Sequence, residues 1–279
     1  MTLSFTPRTL AEAHAALARG AVKVAGATDL MVVDHASGRS HNAVVDLLGI
    51  RELRGIEVID GRLAMGACST FTDIRGSELV ARHAPLLRDA AATIGAAQIQ
   101  NRATLGGNIA NASPAGDSLP ALLALGASIV VSGPRGRRTI AYDVFHPAYR
   151  STVLELDELI ERVLIPLPTP SIQIFRKIGA REAQAISKVV VAFSANARAS
   201  ALADVRLSMG SIAATPIRLP PVEALIGSEP LSSALAERAA VLVEASITPI
   251  DDIRSTAGYR RHVAGQVVRR ILLNLLVQP

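Results

Sequence analysis

The chain has 279 residues, 49% of them hydrophobic and 19% charged, a composition that supplies a substantial buried core and excludes intrinsic disorder. Lys and Arg number 29 against 24 Asp and Glu, and the +5 balance is nearly all arginine, because Lys23, Lys177 and Lys188 are the only lysines. Aromatics at 3%, no Trp and scattered arginines exclude a base-stacking surface or a basic stripe, so no nucleic-acid partner is expected. The single cysteine, Cys68, excludes an internal disulfide and any multi-thiolate metal site within the chain, and fits a reducing compartment. The first residues lack a basic segment followed by an apolar one, and the apolar stretches at 119–131 and 271–277 fall short of the roughly 20 residues of a membrane span. A cytoplasmic protein without a membrane span is expected.

In chain order, the Ala/Leu-rich run at 9–17 behind Pro7 predicts a helix, and the β-branched run at 22–25 predicts a strand stopped by Gly26. A helix restarts at 29–34 behind Thr28 or Asp29. Residues 43–47 read as a strand, 62–66 as one arm of a hairpin after Asp60-Gly61, and 85–95 as a helix with a small, alanine-lined face. From Gln98 to Asp117 the chain is dense in Gly, Asn, Ser and Thr, with apolar residues too sparse for an ordinary amphipathic helix. A short helix at 118–125 and a hairpin across 127–142 follow, turning at Gly133-Pro134-Arg135-Gly136. Pro166, Pro168 and Pro170 mark a linker. Beyond it come strands at 172–178, 189–198 and 205–212, then helices at 231–246 and 255–276. The last helix carries Val263, Val267, Ile271 and Leu275 as its expected core-facing stripe.

The Gly106-Gly107 pair is the strongest local feature. Adjacent glycines adopt positive φ readily and can turn several amides into one concavity that binds phosphate without a lysine, with Asn108 and Ser113 beside it. Gly26, ending a strand and followed by Ala27-Thr28-Asp29, is a candidate for a second such nest; both are equally readable as plain tight turns. Asp117 suits either a ribose diol or the N-cap of the helix that follows. No G-x-G-x-x-G, P-loop or H-E-x-x-H pattern occurs, and His14, His35, His41, His83, His146 and His262 lack zinc spacing. Cys68 reads as buried and inert. With no nucleophile–base pair to assign, any chemistry belongs to a bound cofactor.

Four segments in order carry a resemblance: AGATDL at 25–30, QNRATLGGN at 100–108 running on through residue 127, FRKIGAREAQAISKV at 175–189 and YRRHVAGQVVRR at 259–270. Together they resemble the FAD-binding subunit of the xanthine dehydrogenase and carbon monoxide dehydrogenase family, the molybdenum hydroxylases, over most of the chain. The resemblance implies an α+β fold: a two-subdomain α/β FAD-binding domain of the PCMH type at 1–168 (subdomains about 1–55 and 56–168), then a smaller α+β domain at 169–279 with an antiparallel sheet and helices.

It also implies roles. Lys23, Val24, Ala25, Gly26, Ala27, Thr28, Asp29 and Leu30 would line one side of the FAD diphosphate. Thr104, Leu105, Gly106, Gly107 and Asn108 would cradle it from the other, followed by Ser113 and by Asp117 at the sugar. Ile94 and Ile160 would lie against the flavin, and Arg176, Lys177 and Lys188 sit in the segment that approaches it. The first loop departs from the family's Gly-Gly pair at Ala27. The implied function is an FAD-carrying electron-transfer subunit. It would take electrons from 2Fe–2S clusters on a small partner and pass them to NAD or another acceptor, while a large partner holds the molybdenum-pterin cofactor. A free-standing flavin oxidase and a flavin-free assembly factor are the alternatives.

Overall fold

A computed structural model describes residues 2–277. The chain builds three sheets, each with its own core. The first holds β1 (Leu3–Phe5), β2 (Val22–Val24) and β3 (Ala43–Asp46), all parallel in the order β1-β3-β2. Helix α1 (Leu10–Leu17) makes the first crossover, started by Thr9, whose hydroxyl accepts the Glu12 amide. It buries Ala13, Ala16 and Leu17 against Val45 and Ile50. Helix α2 (Leu30–Ser37) makes the second crossover and ends on Gly38 at φ 64, a left-handed stop that suits glycine.

The second sheet is antiparallel: β4 (Ile56–Ile59), β5 (Arg62–Gly66), β6 (Ser128–Gly133), β7 (Gly136–Ala141) and β8 (Leu159–Pro166), in the order β4-β5-β8-β6-β7. Asp60 and Gly61 are both left-handed, the conformation a two-residue hairpin with the right twist needs. Six helices lie between β5 and β6 in the chain: α3 (Phe71–Gly76), α4 (Glu78–His83), α5 (Pro85–Ala92), α6 (Ala97–Gln100), α7 (Leu105–Asn111) and α8 (Ser118–Ala124). They cover a sheet face built from Leu63, Met65, Ile129, Val131, Val163 and Ile165. The polar stretch 98–117 thus contains one helix and the end of another, contrary to the expectation from its sparse apolar residues. Thr104 caps α7, and Leu105 and Ile109, four residues apart, are its buried face.

The third sheet runs β12-β11-β10-β9, from β9 (Ile172–Ile178), β10 (Val189–Arg198), β11 (Ala201–Gly210) and β12 (Ile217–Arg218), all antiparallel. β10 is apolar on both faces, VVVAFSA, because it is sandwiched. Val190 and Ala192 join the core around α8, while Val189, Val191 and Phe193 face α9 (Pro220–Ser228), α10 (Ser233–Ser246) and α11 (Ala257–Val277). Ser194 and Ser208 donate to the α8 carbonyls of Ala124 and Pro120 at 2.7 and 2.5 Å, fixing this sheet to the preceding helices. On α11 the buried residues are Arg260, Ala264, Gly265, Val268, Ile271 and Leu272; of the expected stripe, Ile271 is buried and Val263, Val267 and Leu275 are partly buried against the same core. The most buried line runs through small residues because α11 packs closely on α10: a Cβ on Gly265 would lie 2.9 Å from the Ala240 carbonyl oxygen.

Candidate functional site

A cleft of about 530 Å³ lies between the first sheet and the second, within the size range of small-molecule sites. One wall is the end of β2 and the loop into α2, Lys23 to Leu30. The amides of Gly26, Ala27, Thr28 and Asp29 donate to no protein acceptor among the described residues. Ala27 sits at φ 60, so the left-handed residue that turns these amides into one concavity is the alanine. Gly26 serves close approach instead. A Cβ there would meet the Arg102 carbonyl oxygen at 2.1 Å, so the two candidate loops touch through this glycine.

The opposite wall is Thr104, Gly106, Gly107, Asn108, Ala110 and Asn111. Here the expected glycine nest is replaced by the first turn of α7. Neither glycine has positive φ, and the amides are committed within the protein. Leu105 donates to Ser69 at 3.0 Å, Gly106 to Ala67 at 2.8 Å, Gly107 to the Thr104 hydroxyl at 3.1 Å and Asn108 to the Thr104 carbonyl at 3.0 Å. The first amides of a helix find no partner within it, and here the Ser69 and Ala67 carbonyls and the Thr104 cap take the ones a nest would leave free. Gly106 is buried against Ala67, while Gly107 is open to the cleft. The free backbone donors of the cleft are therefore those of the first loop.

Ile94 and Ile160 line the same space, with Leu30, Leu154 and Phe71. Burial lowers the Lys23 ammonium's pKa, opposed by Asp157 and Glu158. Half of the lining was not expected, including Ala110 and Asn111, which continue α7, Glu158, which precedes a strand absent from the expectations, and Arg150, a left-handed residue at φ 50 in a loop. Cys68 also lines the cleft, but burial pushes its thiol up to about 12 and its Sγ contacts the Leu47 carbonyl, leaving it neutral. Glu158 accepts two 2.8 Å hydrogen bonds from Arg138, which hold its carboxyl at about 2.

Six of the expected residues do not line the cleft. Leu105 is core, and the Ser113 hydroxyl accepts the Ala115 amide in a turn. Asp117 neither caps α8 nor faces the cleft; it accepts 2.6 Å from Lys177 Nζ of β9, which also donates to the Thr93 carbonyl at 2.9 Å. Burial raises the Asp117 pKa against the pull of Lys177. Lys188 Nζ lies 5.1 Å from the centre of the Tyr259 ring, and Arg176 turns back to the Phe175 carbonyl. Among the described residues, no His/Cys/Asp/Glu group could hold a metal and no helix is long and apolar enough to cross a membrane.

A dinucleotide of the FAD kind needs unclaimed backbone donors for its diphosphate and an apolar trough for its ring system. The loop at 26–29 and the Ile94–Ile160 region supply them. Comparison with known proteins points the same way. Residues 2–168 match the family described as FAD binding domain in molybdopterin dehydrogenase, and residues 174–275 match the CO dehydrogenase flavoprotein C-terminal domain. The chain is 31% identical over 253 residues to the xanthine dehydrogenase FAD-binding subunit of Escherichia coli O157:H7, covering 89% of this chain and 86% of that one. It is 29% identical to the carbon monoxide dehydrogenase medium chain of Hydrogenophaga pseudoflava, covering 95% and 94% of the two chains. The solved carbon monoxide dehydrogenase from that organism, in a form lacking the Mo-pyranopterin moiety, superposes with a TM-score of 0.91 at 27% identity over 96% of this chain and 95% of that one. The chain belongs to the FAD-binding subunits of the xanthine and carbon monoxide dehydrogenase family of oxidoreductases.

Proposed function

We propose that this chain holds FAD in the cleft between its first two sheets and works as a cytoplasmic electron-transfer subunit. Its partners would be a large molybdenum-binding subunit and a small 2Fe–2S subunit, and NAD or another acceptor would receive the electrons. The observation that carries the reading is the division of the cleft: unclaimed amides at Gly26–Asp29 on one wall, and apolar Ile94, Ile160 and Phe71 elsewhere in the lining. In this reading Thr104, Gly107 and Asn108 face the cofactor across from the first loop, residues 1–168 form the cofactor domain, and residues 169–279 form the second domain.

FAD when bound accepts electrons singly or in pairs, which lets it join one-electron carriers to a hydride acceptor. The protein's contribution is to position and to exclude water. Cys68 and Glu158 line the cleft with pKa values near 12 and near 2, so neither is suited to proton transfer there. The test is purification of the chain with whatever accompanies it, followed by a visible spectrum and a subunit pattern. Flavin bands with a large and a small partner are expected. A colourless chain, or a flavin-bearing lone chain reduced directly by an organic substrate, overturns the reading.

A further inference from the structure

Ile94 reaches the cleft from an irregular segment, residues 93–96, between α5 and α6. The last carbonyls of a helix have no amide of that helix to accept from, and here each carbonyl from Ala92 to Gly95 takes a donor from elsewhere. The Gln100 side chain supplies two, donating through Nε2 to the Ala92 carbonyl at 3.2 Å and to the Ile94 carbonyl at 2.9 Å. The other two turn toward the third sheet: Lys177 Nζ donates to the Thr93 carbonyl at 2.9 Å and the Gln184 amide to the Gly95 carbonyl at 3.3 Å. Gly95, at φ 54, closes the turn onto Ile99, where a Cβ would stand 2.7 Å from Ile99 Cβ.

Gln100 is buried, and both ends of its amide are engaged. Its Oε1 accepts from Arg75 Nη1 of α3. A guanidinium can only donate, so the oxygen must face Arg75 and the amide nitrogen must face the two carbonyls. Without that nitrogen the Ile94 carbonyl would lose its donor and the segment its tie to α6. The turn that meets Gly26 is secured separately: the amides of Arg102 and Ala103 both donate to the Ile99 carbonyl, at 3.0 and 2.7 Å. The donors of Gln100 thus act on the wall element that carries Ile94.

A ring lying in the cleft needs its apolar surface at a fixed height, because dispersion contacts weaken within an ångström of displacement. Gln100 itself is not among the residues that line the cleft. We infer that Gln100 is a positioning residue for the ring system of the cofactor: it fixes residues 93–96 so that Ile94 meets the ring. The inference rests on the proposed function and extends it to a side chain behind the cleft wall.

The test uses the assembled complex with its flavin removed, titrated with FAD and, separately, with ADP, which carries the diphosphate without the flavin ring. Gln100→Met, similar in length but without donors, should weaken FAD at least tenfold and leave ADP unchanged, and the visible band of the flavin that does bind should move toward that of free FAD. Ile94→Ala should weaken FAD to a similar degree, and adding Gln100→Met to it should cost little more, because both changes remove one contact. Gln100→Glu covers misfolding of the apolar variant: it keeps the shape and the Arg75 partner, but its carboxylate has no proton to give the two carbonyls, and FAD should weaken in the same way. FAD binding at wild-type strength in a folded Gln100 variant overturns the inference, as does an equal loss of ADP or full additivity with Ile94→Ala. A wild-type complex that takes up no FAD overturns the proposed function and this inference with it.

Discussion

Gly107 faces the cleft from the first turn of α7, and a Cβ there would lie 2.8 Å from the Thr104 hydroxyl that caps the helix. Gly107→Val should therefore lose bound flavin twice over, by filling the cleft and by displacing the cap, whose loss costs about 1 kcal/mol. Flavin absorbance per folded chain, with circular dichroism as the folding check, reads the outcome; normal flavin content would show that this wall does not face the cofactor. Glu158 offers a pH test. Its carboxyl is held at about 2 by Arg138 against an ordinary value of 4.5, so the pair's stabilisation is complete above pH 4.5 and is lost as pH falls toward 2. Arg138 is 45% exposed, so solvent screens the pair and the effect is modest. Urea unfolding of Glu158→Gln and wild type should differ near pH 6 and converge near pH 2.

At the scale of elements, α11 is held to α10 through a missing side chain. A Cβ on Gly265 would come within 2.9 Å of the Ala240 carbonyl and 2.8 Å of Glu244 Oε1, so Gly265→Leu should destabilise by about 1–3 kcal/mol in chemical denaturation. The same feature explains why the most buried line of α11 lies beside the expected Val263, Val267 and Leu275 row rather than on it: Ala264 and Gly265 permit the closer approach. Most other elements were legible because their signals are local. The Thr9 cap, the Asp60-Gly61 turn and the β-branched runs at 172–178 and 189–198 act within a few residues. Several elements escaped, β8 and α9 among them. β8 is the central strand between β5 and β6, yet it carries Glu161 and Arg162; Glu161 is tolerated only because Arg137 of β7 reaches it at 2.9 Å. α9 was not expected; it begins on Pro220-Pro221, where proline suits the first turn of a helix. The cleft was legible as two loops, but the sequence pattern could not say which loop kept its amides free. That depends on Ala67 and Ser69, some 35 residues away, accepting from the α7 turn.

Across the whole molecule, the third sheet is tied to the helices over the second sheet by a buried ion pair. Lys177 and Asp117 are 7% and 6% exposed, and the lysine also holds the Thr93 carbonyl. Lys177→Met leaves a buried carboxylate without its cation, a loss of about 3–5 kcal/mol, and adding Asp117→Leu should recover part of it. Thermal unfolding of the two variants decides the matter; an unchanged midpoint in the single variant would mean that the interface does not rely on this pair. The two sheets of the cofactor half share no strand, so their walls meet by packing and at the seam where Gly26 touches the Arg102 carbonyl. A ligand gripping both walls acts as a staple between them, adding about 2.7 kcal/mol at a hundredfold excess over its Kd.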